Sequence, residues 1–129
     1  MYFKFKVSNM PGIKGIITYL TEANNFADAA YKIIQSVGTG PAEVEEIKLM
    51  KNFKPAINEK ISDTNKLYMV KIAEDIIQDD NTIKTIKYEL PCFADNAIEL
   101  TDKVNNYIAQ GLDNMRLTTI SETKWIYIE

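Results

Sequence analysis

The feature that most constrains this chain's fold is an internal repetition. Phe26-Ala27-Asp28 recurs as Phe93-Ala94-Asp95, and apolar residues spaced by three and four positions follow each copy. That spacing places them on one face of an α-helix. We therefore predict two amphipathic helices, at residues 26–37 and 93–109. Their predicted boundaries are marked by residues that cap or end helices: Asn24 or Asn25, Gly38 or Gly40, Pro91 and Gly111.

Strand patterns repeat around the two helices. Residues 2–7 alternate, with Phe3, Phe5 and Val7 on one face, and Tyr68, Val70 and Ile72 repeat this pattern. Turn-forming residues at 9–12 and 78–81 lead into second strands at 13–20 and 82–90. Closing strands are predicted at two places, residues 44–50 and residues 116–128, the latter bent or broken near Thr123.

Each half therefore has the order β-β-α-β. The halves span about residues 1–51 and 66–129, and a polar linker at 52–65 joins them. One half of roughly 60 residues is marginal alone, whereas two can share a core. The predicted fold class is α+β: two related β-β-α-β halves forming one compact domain, with antiparallel sheets and two amphipathic helices.

Short motifs also link the chain to a known family. They are the start Tyr2-Phe3-Lys4-Phe5-Lys6-Val7, a helix opening of the type Phe-x-x-Ala in each half (Phe26 with Ala29/Ala30, and Phe93 with Asn96/Ala97), and the closing Ile120-Ser121-Glu122-Thr123. With these motifs the chain resembles a family of domains of unknown function from Bacteroidota and their phages and mobile elements. The segment 67–71 lacks that family's Trp-Tyr pair. The resemblance implies a duplicated architecture and leaves the function open.

The charge is unevenly distributed. Residues 1–60 carry eight lysines and six acidic residues, a net charge of +2, whereas residues 61–129 carry seven basic and twelve acidic residues, a net charge of −5. Lysines interleaved with aromatics are typical of surfaces that hold single-stranded nucleic acid, where lysines follow phosphates and rings stack on bases. The predicted nucleic-acid-binding residues are Tyr2, Lys4, Lys6, Lys48, Lys51, Phe53 and Lys54, with Lys60 nearby. The alternative is an ordinary solvated sheet face with Phe53 in the core.

The C-terminal segment Trp125-Ile126-Tyr127-Ile128 is apolar and β-prone. One interpretation is the last strand of the sheet, paired and buried. The other is an edge strand that pairs with a second copy, with Trp125 and Tyr127 in the oligomer interface.

Several function classes are disfavoured. The chain has no histidine, so histidine-based acid–base, triad and zinc chemistry are excluded. Asp79 and Asp80 are typical of a hairpin turn, and Cys92 of a small buried spacer. The acidic cluster Glu43, Glu45 and Glu46 is typical of a solvated surface. We expect no catalytic residue, no metal ligand and no cofactor.

Other features bear on setting and specificity. Arg116 is the only arginine, which disfavours sequence-specific DNA reading because such reading normally uses bidentate arginine. The chain has one cysteine, no apolar run of membrane-spanning length and no signal-peptide pattern, so we expect a cytoplasmic protein.

Two functional hypotheses follow. The first is a non-enzymatic accessory factor of a phage or mobile element that binds single-stranded DNA or RNA on its N-terminal basic face. The second is a protein-interaction module, such as a host-enzyme inhibitor, an anti-defence protein or a virion component, that uses its acidic second half. A homodimer is compatible with both.

Overall fold

The computed structural model describes residues 1–38, 40–51, 64–110 and 114–128. Contacts between residues group the chain into two compact units, Met1–Lys51 with Lys124–Glu129, and Asn52–Thr123. Each unit contains a β-sheet and one helix, so the predicted α+β class is confirmed. That the two halves form one compact domain stays a prediction.

The first unit holds β1 (Tyr2–Ser8), β2 (Ile17–Glu22), α1 (Phe26–Val37), β3 (Glu43–Leu49) and β7 (Ile126–Ile128). Its strand order is β3-β1-β2-β7. The contacts of β1 with β2 and β3 are antiparallel, whereas β7 runs parallel to β2.

One face of this sheet packs against α1. Phe5, Val7 and Tyr19 cluster with Ile33, and Phe3 clusters with Ala29 of the same helix. The rings of Phe5 and Tyr19 stack with centroids 5.7 Å apart. Each fully buried apolar side chain contributes roughly 1.5–3 kcal/mol relative to exposure.

The second unit holds β4 (Lys66–Ile77), β5 (Ile83–Ala94), α2 (Ala97–Gln110) and β6 (Met115–Glu122). Its strands are antiparallel in the order β5-β4-β6. Its core groups residues of both long strands with Leu100 and Val104 of α2. Tyr68, Val70 and Ile72 belong to this core, as their predicted correspondence to Phe3, Phe5 and Val7 requires.

The two units repeat one topology. In each, the first strand lies between the second and the third, so β3-β1-β2 corresponds to β6-β4-β5. The register between the first and third strands also shifts at matching places, Lys6/Val7 in β1 and Lys71/Ile72 in β4. Such a shift marks a β-bulge or a similar irregularity. Its recurrence supports the predicted repetition independently of the sequence motif.

The predicted alignment of the helices was wrong by about one turn. Asn25 caps α1 by accepting a hydrogen bond from the Asp28 N–H at 2.8 Å, and Asn96 caps α2 by accepting one from the Glu99 N–H at 2.8 Å. The motif residue Phe26 follows its cap, whereas Phe93 precedes its cap and lies in β5. A four-residue displacement leaves apolar residues on nearly the same helix face, so periodicity alone did not reveal it.

Other predicted boundaries have mixed outcomes. Gly38 ends α1 with a positive φ of 71°, and its N–H donates to the Ile34 carbonyl, as predicted. Pro91 lies within β5 instead of before the helix. The predicted strand 116–128 is broken, with β6 in the second unit and β7 in the sheet of the first unit. No helix in the described ranges is long and apolar enough to cross a membrane.

The helix caps generate a stability prediction. Replacing Asn25 or Asn96 with alanine leaves a backbone N–H of the first turn without its acceptor, so each change should lower the free energy of unfolding by about 1 kcal/mol. Urea denaturation followed by circular dichroism measures the change. The control is Asn24→Ala, because Asn24 uses its backbone N–H to contact Asp28. Equal effects of Asn24→Ala and Asn25→Ala would contradict the assigned cap.

Candidate nucleic-acid interface

The predicted basic residues of β1 lie on the face of the first sheet that is opposite α1. Phe3, Phe5 and Val7 point toward the helix. Because neighbours along a strand point to opposite faces, Lys4 and Lys6 point away from it. Both lysines are half-buried.

Strand register brings a third lysine to this face. Lys48 of β3 lies directly opposite Lys4, and on the other side of Lys4 the row continues through Leu20 to Tyr127. Like charges that are directly opposite in a sheet are destabilising. Among the described residues, Lys4 and Lys48 form no ion pair with a carboxylate. We call Lys4, Lys48, Leu20 and Tyr127 the lysine row.

Trp125 lies beside this row. The Nζ atom of Lys4 is 5.1 Å from the centroid of the Trp125 ring, which is within the range of a cation–π interaction. Trp125 directly precedes β7, and the pairing of β7 with β2 brings it to the first unit. The buried Thr21 hydroxyl strengthens that pairing by donating to the Ile128 carbonyl at 2.9 Å. The structure thus brings together residues that the sequence assigned to two different sites.

Carboxylates border the lysine row without entering it. Glu46 lies opposite Lys6, and Glu22 lies opposite Tyr2. The face is therefore basic mainly along the row itself, where Lys4 and Lys48 lie opposite each other in the ladder.

The predicted role of Tyr2 as an exposed stacking platform was wrong. Tyr2 shares the face of Lys4 and Lys6, but only 6% of the residue is exposed. Alternation places Tyr2 on the face of the lysines but does not determine whether its ring is exposed. An aromatic ring is more stable when it is buried than in contact with water. Leu20, at the centre of the lysine row, is fully buried. The open part of this face is therefore its β3 side, where Lys48 is exposed.

The remaining predicted residues follow β3. Lys51 is exposed, and it comes directly after Met50, whose N–H donates to the Tyr2 carbonyl at 2.9 Å. Phe53, Lys54 and Lys60 lie outside the described residues.

A second candidate surface lies at the turn between β4 and β5. Ile77 and Ile83 are directly opposite each other in the ladder and are 66% and 67% exposed. The turn beyond them carries Asp79 and Asp80. The Thr82 hydroxyl and backbone N–H both donate to Asp80 and lower the pKa of its carboxyl group. This tip is an acidic turn, held by hydrogen bonds, next to an exposed apolar pair.

The hairpin is anchored where β6 begins. The Thr85 hydroxyl donates to Asp75 at 2.7 Å, and Arg116 forms an ion pair with the same carboxylate. The hydrogen bond from Thr85 has the larger effect and that from Arg116 the smaller, and both lower the pKa of the Asp75 carboxyl group. Since β6 pairs with β4 only as far as Glu74, the hairpin extends beyond the third strand. Sequence reasoning placed a turn here but missed the exposed isoleucines, because a β-prone apolar residue is ordinarily buried.

The other groups considered from the sequence carry no site geometry. Cys92 is fully buried within the core of the second unit, and Glu43, Glu45 and Glu46 are exposed. Within residues 1–38, 40–51, 64–110 and 114–128, no three Cys, Asp or Glu side chains come close enough to hold a metal ion.

Comparison with known proteins gives no relative from which a function can be transferred. No protein-family model matches the chain, and no curated protein and no solved structure is significantly similar to it. The resemblance to the Bacteroidota domain family therefore rests on its short motifs alone.

The contact between Lys4 and Trp125 can be tested by fluorescence, since Trp125 is the only tryptophan. A nearby ammonium group attracts iodide, so Lys4→Gln should lower the iodide quenching constant while acrylamide quenching changes little. The control is Lys14→Gln, at an exposed lysine in the loop before β2. Equal iodide quenching in the Lys4→Gln and Lys14→Gln variants would contradict the contact.

Proposed function

We propose that this chain is a non-enzymatic binding protein that holds single-stranded DNA or RNA on the lysine row beside Trp125. The observation that carries the proposal is the pairing of Lys4 with Lys48. Two like charges directly opposite each other cost stability. Departures from local stability rules are expected at functional sites. A phosphate between the two ammonium groups would turn the repulsion into attraction.

The neighbouring aromatic ring supports nucleic acid over a simple anion. Single-stranded nucleic acid is bound by basic residues along its backbone together with aromatic rings near its bases. Trp125, held against Lys4, puts an indole ring next to the basic row. Lys51, exposed and close in sequence to Lys48, extends the positive charge past the end of β3.

Lysine without arginine sets the expected specificity. A lysine ammonium acts as a point charge and lacks the fork that reads guanine in a bidentate way. Binding should therefore depend on salt and very little on base sequence. The resemblance to phage and mobile-element domains suggests an accessory role in such an element.

Binding is tested by fluorescence anisotropy with labelled oligo-dT and oligo-rU at low salt. Lys4→Gln/Lys48→Gln should weaken binding about tenfold or more and reduce the slope of log K against log salt by about 0.7, the contribution of the one single-strand phosphate that the two lysines share. The matched control is Lys14→Gln/Lys32→Gln, which removes the same charge; Lys32 lies on α1 and contacts the Glu22 carbonyl.

The free energy of unfolding of the same variants, measured by urea denaturation, distinguishes a functional lysine from a structural one. Because Lys48→Gln removes one of two like charges that lie opposite each other in the ladder, this variant should be as stable as the parent or more stable by a few tenths of a kcal/mol. Absence of oligonucleotide binding by the parent would overturn the proposal, and so would equal losses in the test and control variants.

A second candidate function is supported by the exposed isoleucines of the hairpin. Apolar side chains presented above an acidic turn suit a protein partner whose apolar cleft has a basic rim. This is the protein-interaction module, with the acidic second half as its contact surface.

That second function has its own test. Protein retained from a host lysate by the parent should be lost with Ile77→Ser/Ile83→Ser and kept with Ile98→Ser, which changes an isoleucine of α2 that is 80% exposed. Equal retention by both variants would count against the hairpin.

A further inference from the structure

The outer edge of β5 offers a row of backbone groups for pairing. β5 is an edge strand in the order β5-β4-β6, and no strand in the described part of the chain pairs with its other side. The Gln78 N–H donates to the Thr82 carbonyl at 2.8 Å, which marks these two residues as a hydrogen-bonded pair. The β4–β5 ladder continues from there without a register shift. Since bonded pairs alternate in an antiparallel ladder, even-numbered residues of β5 bond to β4.

The odd-numbered residues of β5 therefore direct their backbone N–H and C=O groups outward. They include Thr85, Lys87 and Glu89. Pro91 fits the same pattern, because a proline is tolerated in a strand where its missing N–H would face away from the sheet. The pairing of β4 with β6 gives an independent check. The Thr123 N–H donates to the Leu67 carbonyl, so odd-numbered residues of β4 bond to β6 and leave the odd-numbered residues of β5 facing outward.

Charges on this edge restrict which strand can join it. Lys87 is exposed, so an incoming strand gains most if it places a carboxylate opposite this lysine. β5 itself carries such a carboxylate two residues away, at Glu89. Within its own sheet Glu89 lies opposite Lys71, so it already faces one ammonium group and can accept a second on its outer side.

We propose that β5 pairs with β5 of a second copy in an antiparallel arrangement whose twofold axis passes through Tyr88. In this register Lys87 of each copy lies opposite Glu89 of the other. Each such pair exchanges two backbone hydrogen bonds and places opposite charges side by side. The interface is isologous, so every contact occurs twice.

Electrostatics selects this register over its neighbours. Outward-facing residues must lie opposite one another, so the axis can move only in steps of one residue along the strand. An axis at position 87 places Lys87 opposite Lys87, and an axis at position 89 places Glu89 opposite Glu89. Only the axis at Tyr88 pairs the lysine with the glutamate at both ends.

The proposal is tested by sedimentation equilibrium of the full chain at low salt. The parent protein should be a dimer. Lys87→Glu and Glu89→Lys each put like charges opposite one another and should raise the dimer dissociation constant at least tenfold. The double variant Lys87→Glu/Glu89→Lys restores opposite charges and should recover the dimer. Lys14→Glu, which changes the net charge by the same amount elsewhere, should leave the dimer intact.

A covalent test does not depend on the charge variants folding. Residues on the twofold axis would form a non-hydrogen-bonded pair with Cα atoms about 4.5 Å apart, which a disulfide can bridge. Tyr88→Cys should therefore form an intermolecular disulfide under mild oxidation, whereas Thr85→Cys should not. The native Cys92 is fully buried and gives a low background.

Several results would overturn the proposal. They are a monomeric parent, a dimer that survives both single charge changes, failure of the double variant to recover, or equal cross-linking of Tyr88→Cys and Thr85→Cys. A dimer that dissociates only with Trp125→Ala and Tyr127→Ala would place the contact at the C-terminal segment predicted from the sequence.

Discussion

Each unit of this protein depends on covering one apolar sheet face with one amphipathic helix. In the first unit Phe5 and Val7 need Ile33, and in the second Val70 and Ile72 need Leu100. The apolar face of a small sheet, four-stranded in the first unit and three-stranded in the second, must be buried against another element. The caps at Asn25 and Asn96 stabilise the two helices that provide this cover. The lysine row is the result on the other face, since strand alternation places Lys4 between Phe3 and Phe5.

Local patterns were sufficient to predict the elements and their order. Alternation in residues 2–7 and the three- and four-residue spacing of apolar positions follow directly from strand and helix geometry. These patterns cannot reveal a displacement along the chain that preserves the spacing of apolar residues. The apolar spacing predicts Phe93 in a helix because a shift of four residues keeps the same helix face, whereas Asn96, which caps α2, marks the true start. Proline before an apolar periodic segment favours a helix boundary, but Pro91 lies in β5, because an edge strand also accepts proline where no N–H is needed.

The candidate site depended on contacts that no local pattern contains. Trp125 and Lys4 are separated by almost the whole chain, and they meet because β7 pairs with β2 in place of continuing β6. The residues 126–128 are equally suited to either sheet by propensity, so only long-range pairing decides between them. Lys4 and Lys48 were predicted to act together, but their direct opposition required the register of β1 and β3. Tyr2 shows what alternation cannot predict. The alternating pattern defines which face of the sheet a residue lies on, but not whether that face is covered.

The central claim is that the lysine row beside Trp125 binds single-stranded nucleic acid. The most direct measurement is a titration of the ¹⁵N-labelled protein with oligo-dT, followed by two-dimensional NMR. The single indole N–H resonance of Trp125 and the amides of Lys4 and Lys48 should shift together and saturate with one affinity. Shifts confined to the hairpin residues 76–84, or a saturating titration that leaves the indole resonance unmoved, would contradict the claim.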